Sequence, residues 1–297
     1  MNSDIVLQDV ILDFKDTRAL DGISCTMHPG KIYGLIGRNG AGKTSMLSLI
    51  ASFRQPSSGR VLVGGEEPFE HARRMEDVHF VYSWDMSEED DTITDALNHY
   101  ARYRPQFDMD FARELLAKFK LDGKKVMNKL SVGMQAAVNV IEGLASGAPV
   151  TIFDEVHHGM DAPSRNIFYE SLLDCRETQN RLFILSTHLV SEMAYLFDHV
   201  LILDHGKLII DEPYDTLLER GVTVTGEQER VETFLRGRSV IDRKQLGGTL
   251  SAMLFGSLTA EESQRAVREG LDISPVSLQE LFIHLTKEAE ANEINQQ

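Results

Sequence analysis

The chain has 297 residues, with 30 Lys and Arg against 46 Asp and Glu, which gives a formal net charge of −16 at pH 7. This acidic balance argues against a nucleic-acid groove, because such a groove needs a basic face that collects phosphates. The length suits one large domain with an appendage or two domains.

The sequence carries no signal for export or for a membrane span. No window approaches the roughly 18 uninterrupted apolar residues of a membrane helix, and the first residues lack the basic and apolar zones of a secretion signal. Cys25 and Cys175 are too few for a disulfide framework and agree with a reducing compartment. We therefore expect a cytoplasmic protein.

In chain order, the first element that carries chemistry is a glycine-rich loop. A β-rich opening over about 4–36 ends in an apolar strand that runs into Gly-Arg-Asn-Gly-Ala-Gly-Lys-Thr at 37–44, and a helix is predicted from Lys43 to about Phe53. The glycines let successive N–H groups point inward, and the helix start and Lys43 attract anions.

This loop predicts a cradle for the β- and γ-phosphates of a nucleotide. The residues that we expect to contact the phosphates are Gly37, Asn39, Gly40, Ala41, Gly42, Lys43, Thr44 and Ser45. The Thr44 hydroxyl is expected to bind a Mg²⁺ ion that is shared with the nucleotide.

A helical region of about 88–147 is predicted next. Apolar spacing predicts helices over 94–103 and 110–119. Ser131 is a suitable N-cap for a further helix over roughly 132–146, and the exposed N–H groups and dipole of that helix, equivalent to about half a charge, suit an anion. A plain N-cap without a ligand is the alternative.

Two carboxylates at a strand end supply the second half of a nucleotide site. The run Val-Thr-Ile-Phe-Asp-Glu at 150–155 predicts a buried parallel strand. Asp154 is expected to hold Mg²⁺, and Glu155 to face the attacking water. The alternative, a solvated acidic turn, is weakened by the phosphate loop.

Further strands are predicted at 182–187 and 199–204, separated by helix-length segments, which indicates parallel crossovers. A hairpin follows at 204–207, and the first domain is expected to span 1–218. Residues 219–297 predict a small accessory α+β domain.

Two helix starts mark this C-terminal part, because Thr259 with Glu262 and Ser277 with Glu280 have the spacing of capping boxes. The last helix carries an apolar stripe that we expect to pack on its own chain rather than on a partner. The stripe consists of Leu278, Leu281, Phe282 and Leu285.

The segment Leu-Ser-Val-Gly-Met at 130–134 lies between the two nucleotide motifs and resembles the signature motif of ABC-type ATPases. The resemblance implies a P-loop NTPase fold: an α/β core with a parallel sheet, an antiparallel β subdomain and a helical subdomain. It also implies ATP and Mg²⁺ as ligands. The chain is similar to a divergent branch of bacterial exporter ATPases whose membrane permease is a separate polypeptide.

The resemblance assigns roles to residues outside the phosphate loop. Ser131 and Gly133 would bind the γ-phosphate of ATP held by a second ATPase subunit, either the same chain or a paralogue. Asp161 would shape the contact between subunits, and His188 would contact the γ-phosphate. Phe14 lies where the family stacks an aromatic ring on adenine, although a core position is equally open.

Several positions depart from the family pattern. The stretch 81–86 lacks the family's Q-loop glutamine, and Ser83 or Asp85 is the candidate metal-binding substitute. Val132, Met134 and Val156 replace residues that are usual in the family.

Two adjacent histidines invite a metal interpretation. His157 and His158 have no cysteine and no third histidine at ligand spacing, so the sequence gives zinc little support.

The predicted function is ATP hydrolysis, with Glu155, His188 and Lys43 as catalytic residues, coupled to transport by a separate permease. The family's permease helix docks beside the Q-loop, where Trp84 lies; Trp84 in the subdomain core is the alternative. A small-molecule kinase has no use for the signature serine. A soluble ABC-type ATPase of translation or DNA repair is the main alternative.

Overall fold

The structure is a computed structural model, which describes residues 3–84, 86 and 88–294, and side chains as far as residue 286. Asp85, one of the two candidates for the Q-loop position, lies outside the described residues. Within the described part, every helix is too short or too polar to cross a membrane.

The strands of the described residues fall into three sheets. They are β1 (Ile5–Phe14), β2 (Thr17–Met27), β3 (Ile32–Gly37), β4 (Ser58–Val63), β5 (Val78–Tyr82), β6 (Val150–Asp154), β7 (Leu182–Thr187), β8 (His199–Asp204), β9 (Lys207–Pro213), β10 (Gly221–Glu227), β11 (Val240–Leu246), β12 (Thr249–Phe255) and β13 (Asp272–Pro275).

The α-helices of the described residues cover these sheets. They are α1 (Lys43–Ile50), α2 (Ala72–Asp77), α3 (Ile93–Tyr103), α4 (Met109–Lys118), α5 (Val132–Ala145), α6 (Ala162–Thr178), α7 (Val190–Met193), α8 (Tyr214–Glu219), α9 (Gln228–Phe234), α10 (Ala260–Arg268) and α11 (Leu278–Ile294).

The central sheet has the strand order β5-β6-β7-β3-β8-β9. All its neighbours pair in parallel except β8 and β9, which form the predicted hairpin. A separate antiparallel sheet, β2-β1-β4, forms from the β-rich opening. This combination confirms the predicted fold class.

The two faces of the central sheet pack against different layers. Leu201 and Leu203 of β8 face a core shared with α1 and the antiparallel β1 sheet. Val200 and Ile202 face the other core, which α3 to α6 cover. The parallel strands are therefore buried on both faces, as their continuous apolar sequences predict.

Helix α1 ends at Ile50, earlier than the predicted Phe53. Ser52 adopts a left-handed backbone with φ of 64°, and the Phe53 N–H donates to the Ser48 carbonyl at 2.9 Å. The left-handed residue turns the chain back, so that its N–H groups pair with carbonyls of the last helical turn and the helix ends.

The C-terminal elements build a second, four-stranded antiparallel sheet in the order β11-β12-β10-β13. Helices α9 and α10 contribute to a small core on one of its faces. Leu278, Leu281 and Phe282 of α11 join the main core instead, so the predicted packing of the apolar stripe on its own chain is confirmed. The domain boundary after residue 218 stays a prediction.

Both predicted capping boxes form. The Glu262 N–H donates to Thr259 Oγ1 at 3.2 Å, and the Glu280 N–H donates to Ser277 Oγ at the same distance. In each box the glutamate carboxylate accepts in return from the N-cap backbone N–H. These reciprocal bonds fix where α10 and α11 begin.

Arg181 is a buried cation at the amino end of β7. Its guanidinium donates to the carbonyls of Gly143, Leu144 and Ala148 at 2.7 to 3.1 Å, and to Thr151 Oγ1 at 2.5 Å. The Gly143 and Leu144 carbonyls lie at the C-terminal end of α5, where a cation is favourable. Burial lowers the pKa of Arg181 to about 10, so it stays charged near neutral pH.

Candidate functional site

The candidate site lies where the carboxyl ends of β3, β6 and β7 meet. Ile36 is level with Thr187, and Asp154 is level with Ser186 in the sheet register. Residues that follow these strand ends are therefore neighbours in space although they are far apart in sequence. The structure brings the phosphate loop, the two carboxylates and His188 together at this edge.

The glycine-rich loop links β3 to α1 as predicted. Gly37 ends β3, Asn39, Gly40, Ala41 and Gly42 form the turn, and Lys43, Thr44 and Ser45 begin α1. Gly42 has φ of 106°, and a Cβ there would lie 2.7 Å from the Ala19 carbonyl oxygen. Glycine is therefore required on grounds of conformation and of space.

Lys43 is buried inside this loop. Its Nζ donates to the carbonyls of Gly37 at 2.7 Å and Arg38 at 3.2 Å, and it lies 3.9 Å from Glu155 Oε1. Burial lowers the pKa of Lys43, and the nearby carboxylates of Glu155 and Asp154 oppose that effect. The ammonium bridges two carbonyls of the loop and places a positive charge beside the Glu155 carboxylate.

Asp154 and Thr44 are joined directly, since the Thr44 hydroxyl donates to Asp154 Oδ2 at 2.8 Å. The other carboxylate oxygen, Oδ1, is buried without a hydrogen-bond partner among the described residues. A buried oxygen of this kind costs free energy unless something satisfies it. A hydroxyl beside an unsatisfied carboxylate oxygen is a donor set that fits Mg²⁺.

Glu155 sits in an unusual backbone conformation, with φ of 54°. The turn directs its carboxylate to the strand-end edge, where Oε2 lies 2.8 Å from His188 Nδ1 and Oε1 faces Lys43. Non-glycine residues with positive φ are uncommon and concentrate at functional sites.

The short contact between Glu155 and His188 fixes the tautomer of the imidazole. A carboxylate accepts, so Nδ1 carries the proton, and Nε2 of the neutral ring then holds a lone pair. In this arrangement Nε2 does not donate to a phosphate. Contact between His188 and a γ-phosphate therefore needs a new partner for Nδ1 or a second proton on the ring.

Two further imidazoles surround Glu155. His157 Nε2 and His158 Nδ1 lie 3.8 and 3.7 Å from Glu155 Oε2. Burial, together with the neighbouring rings of His158 and His188, lowers the pKa of His157 to about 4. Sequence spacing missed this cluster because its third histidine, His188, comes from the next strand of the sheet.

The signature segment lies against the loop that follows Glu155. Ser131 is exposed and caps α5, since Met134 N–H donates to its Oγ at 3.3 Å. A Cβ on Gly133 would lie 2.5 Å from the Gly159 carbonyl oxygen, so the two backbones touch. Val132 is 67% exposed, which leaves an apolar side chain open to another molecule.

Asp161 is exposed and forms the N-cap of α6, with its Oδ1 accepting from the Ser164 N–H at 2.9 Å. Hydrogen bonds from Ser164 lower the pKa of Asp161. This carboxylate therefore has a structural role in starting α6, and its place in a subunit contact stays a prediction.

Phe14 is half-buried at the end of β1, and the Arg54 guanidinium lies 4.8 Å from the centre of its ring. A cation thus covers one face of the ring that we predicted to stack on adenine. An adenine that stacks here must use the remaining face or displace Arg54.

A cavity of about 950 Å³ opens between the phosphate loop, the end of β6, α5 and the segment after β5. Ser83 and Trp84 line it together with Thr44 and Asp154. Trp84 is 37% exposed, so the alternative that placed it in the subdomain core is wrong. Ser83 borders the cavity, and its place as the Q-loop substitute stays a prediction.

Comparison with known proteins finds one matching family and several relatives, and the three relatives described below are all named as ATP-binding proteins. The ABC transporter family model matches residues 20–158. The chain is similar to the ABC transporter ATP-binding protein YtrB of Bacillus subtilis (strain 168), at 24% identity over 90% of this chain and 94% of that protein. It is also similar to the Nod factor export ATP-binding protein I of Burkholderia thailandensis, at 29% identity over 72% of each chain.

A third relative is the bacitracin transport ATP-binding protein BcrA of Bacillus licheniformis, at 25% identity over 74% of this chain and 73% of that protein. Among solved structures, an ATP-binding subunit of an ABC transporter superposes with a TM-score of 0.66 at 20% identity, covering 78% of this chain and 94% of that one. A bacterial Atm1-family ABC exporter with ATP bound superposes with a TM-score of 0.64 at 22% identity, covering 74% of this chain and 40% of that one. These two likenesses concern the fold.

Proposed function

Since the chain belongs to the ABC transporter family as an ATP-binding subunit, we propose that two such chains, identical or paralogous, close head to tail around two ATP molecules and drive a separate membrane permease. The observation that carries this proposal is the convergence of Lys43, Asp154, Glu155 and His188 on one sheet edge. An exposed Ser131 at the start of α5 supports completion of the site by a second subunit.

In the proposed site, the N–H groups of the glycine-rich loop and the Lys43 ammonium bind the phosphates of ATP. Thr44 and Asp154 would hold Mg²⁺, which neutralises charge on the phosphoryl oxygens when it is bound with ATP. The unsatisfied Asp154 oxygen supports this assignment. Ser83 is the described candidate for a further contact.

Glu155 is the proposed general base that orients and deprotonates the attacking water. Its Oε2 is occupied by His188 in the structure, at 2.8 Å, so this contact must open before the carboxylate can serve water. The released imidazole then turns to the terminal phosphate. Catalysis in this scheme comes mainly from positioning and electrostatic stabilisation.

The Glu155→Gln variant tests the assignment. It should bind ATP and form a stable nucleotide-bound dimer, while steady-state hydrolysis falls by about 100- to 1000-fold. Light scattering with ATP and a phosphate-release assay measure the two effects. Glu114→Gln is the matched control, since Glu114 is an exposed carboxylate paired with Lys118. Normal hydrolysis by Glu155→Gln would reject the mechanism.

Coupling to a permease is proposed at the wall of the large cavity. Phe53, Tyr82 and Trp84 are 57%, 42% and 37% exposed, and the Phe53 and Tyr82 rings are 6.2 Å apart. Exposed aromatic side chains of this kind are enriched where proteins dock. A relative named for Nod factor export supports export as the direction, and one named for bacitracin transport supports transport.

Trp84→Ala should uncouple transport while soluble ATPase activity stays within about twofold, because the side chain lies outside the phosphate cradle. Tyr103→Ala is the control, since Tyr103 is an exposed aromatic residue of α3. Transport in vesicles and co-purification with a multi-span membrane protein measure the effect. Co-purification with ribosomes or DNA instead would contradict the transport proposal.

A further inference from the structure

Glu155, His158 and His188 bring three metal-binding side chains to one point of the site. One ligand atom from each lies within 4.8 Å of the others. His158 and His188 come from different strand ends, so the cluster depends on the parallel sheet rather than on local spacing.

The distances suit a small tetrahedral ion. Ligand atoms about 2.0–2.2 Å from a tetrahedral Zn²⁺ lie roughly 3.3–3.6 Å apart. The observed separations from Glu155 Oε2, 2.8 Å to His188 Nδ1 and 3.7 Å to His158 Nδ1, lie on either side of that range. Because His158 is 58% and His188 37% exposed, small rotations bring them into range.

From this geometry we propose that the nucleotide-free protein binds one Zn²⁺ ion per chain through Glu155, His158 and His188. Two imidazoles and one carboxylate form an open three-ligand set, and water fills the fourth position. Imidazole ligands favour zinc over magnesium, which prefers oxygen ligands. The Lys43 ammonium, 3.9 Å from the other oxygen of Glu155, is the nearby positive charge that repels the zinc ion.

Zinc binding and ATP hydrolysis are mutually exclusive at this position. The ion takes Glu155 and His188, the two side chains that the proposed mechanism needs for water and phosphate. Zn²⁺ would therefore hold the subunit in a state that does not hydrolyse ATP. This inhibitory consequence rests on the proposed function, whereas zinc binding does not.

Isothermal titration of Zn²⁺ into the full-length protein, free of nucleotide and magnesium, tests the site. The wild type should bind one equivalent. His158→Ala and His158→Gln should lower the affinity by at least about 10- to 100-fold, the range already seen for loss of an outer-shell partner. His99→Ala is the matched control, because His99 is an exposed histidine 3.3 Å from Asp91.

Co²⁺ provides a spectroscopic check, since imidazole coordination gives visible absorption that His158→Ala should lose. Failure of the wild type to bind Zn²⁺, or equal binding by a His158 variant with unchanged thermal unfolding, would overturn the site. In ATPase assays, Zn²⁺ should inhibit the wild type more strongly than His158→Gln. A wild type that binds Zn²⁺ but never hydrolyses ATP would reject the proposed function and leave the metal site standing.

Discussion

The two ends of the central sheet each hold a buried cation, and the two cations differ in how completely they are bound. Arg181, at the amino end of β7, is surrounded by carbonyl and hydroxyl oxygens of α5 and β6. Lys43, at the carboxyl end of β3, has two carbonyls and one carboxylate at 3.9 Å. The lysine borders a second cavity, of about 340 Å³, beside the loop.

This difference separates a cation that stabilises the fold from one that is placed for a ligand. Arg181 is 5% exposed, so it is closed off from a ligand. At the other end, a buried unsatisfied oxygen of Asp154 and the strained backbone of Glu155 accompany Lys43. Incomplete satisfaction and strain are typical of functional sites, and they occur at the end of the sheet that we propose binds ATP.

Arg181→Met should have the largest effect on the fold. It removes the guanidinium donors from the buried carbonyls of Leu144 and Ala148 and one of the donors to Gly143, and we expect the free energy of unfolding to fall by about 3–5 kcal/mol. Urea denaturation measures this, with Arg113→Met, an exposed arginine on α4, as control. If Arg181→Met were as stable as its control, the structural role of the cation would be wrong.

Lys43→Met should lower ATPase activity and leave stability largely unchanged, in contrast to Arg181→Met. We expect hydrolysis to fall by about 100- to 1000-fold, equivalent to about 3–4 kcal/mol in the transition state. The fold should tolerate the change, because burial disfavours the charged amine, as its lowered pKa indicates. Parallel ATPase and urea measurements test this contrast. A loss of stability as large as that of Arg181→Met would remove the distinction between the two ends.

Gly133→Ala tests the contact between the signature segment and the loop that follows Glu155. The added Cβ meets the Gly159 carbonyl at 2.5 Å, so the backbones must separate, at a cost of about 1–3 kcal/mol. Gly248→Ala is the control, since a Cβ there has open space. We expect reduced hydrolysis only for Gly133→Ala, measured at saturating ATP. Equal activity of both variants would show that this contact has no functional role.

Ser131→Ala should have the smallest effect on stability, about 1 kcal/mol for loss of an N-cap. Thr259→Ala removes a comparable cap from α10 and should match that thermal shift. The two variants should differ in ATPase activity, which only Ser131→Ala lowers if the serine binds the partner's nucleotide. Identical activity would mean that Ser131 is a helix cap and nothing more.

Much of the fold follows from local patterns that the structure retains. The strand over 150–154, the hairpin at 204–207 and the helix headed by Ser131 occur where apolar period and capping chemistry place them. These features depend on residues that are close in sequence, and for this reason a single amino-acid sequence was enough to predict them.

Features that depend on tertiary contacts were missed. Strand β13 is short and pairs with β10 although α9, β11, β12 and α10 lie between them in the sequence, so periodicity gave no signal. Arg181 looked like an ordinary charged residue between a helix and a strand. The histidine cluster could be recognised only from the pairing of β6 with β7 in the sheet. The contact of Arg54 with the Phe14 ring is likewise not visible in the sequence.

The touching backbones of Gly133 and Gly159 have a consequence for communication within a dimer. Ser131, two residues before Gly133, is exposed, whereas Gly159 follows the turn that carries Glu155. A direct contact between two backbones transmits a displacement, because no side chain lies between them that could rotate and absorb it. If two chains close around two ATP molecules as proposed, a displacement at one ATP shifts the backbone that borders the other, and the two sites should hydrolyse ATP cooperatively.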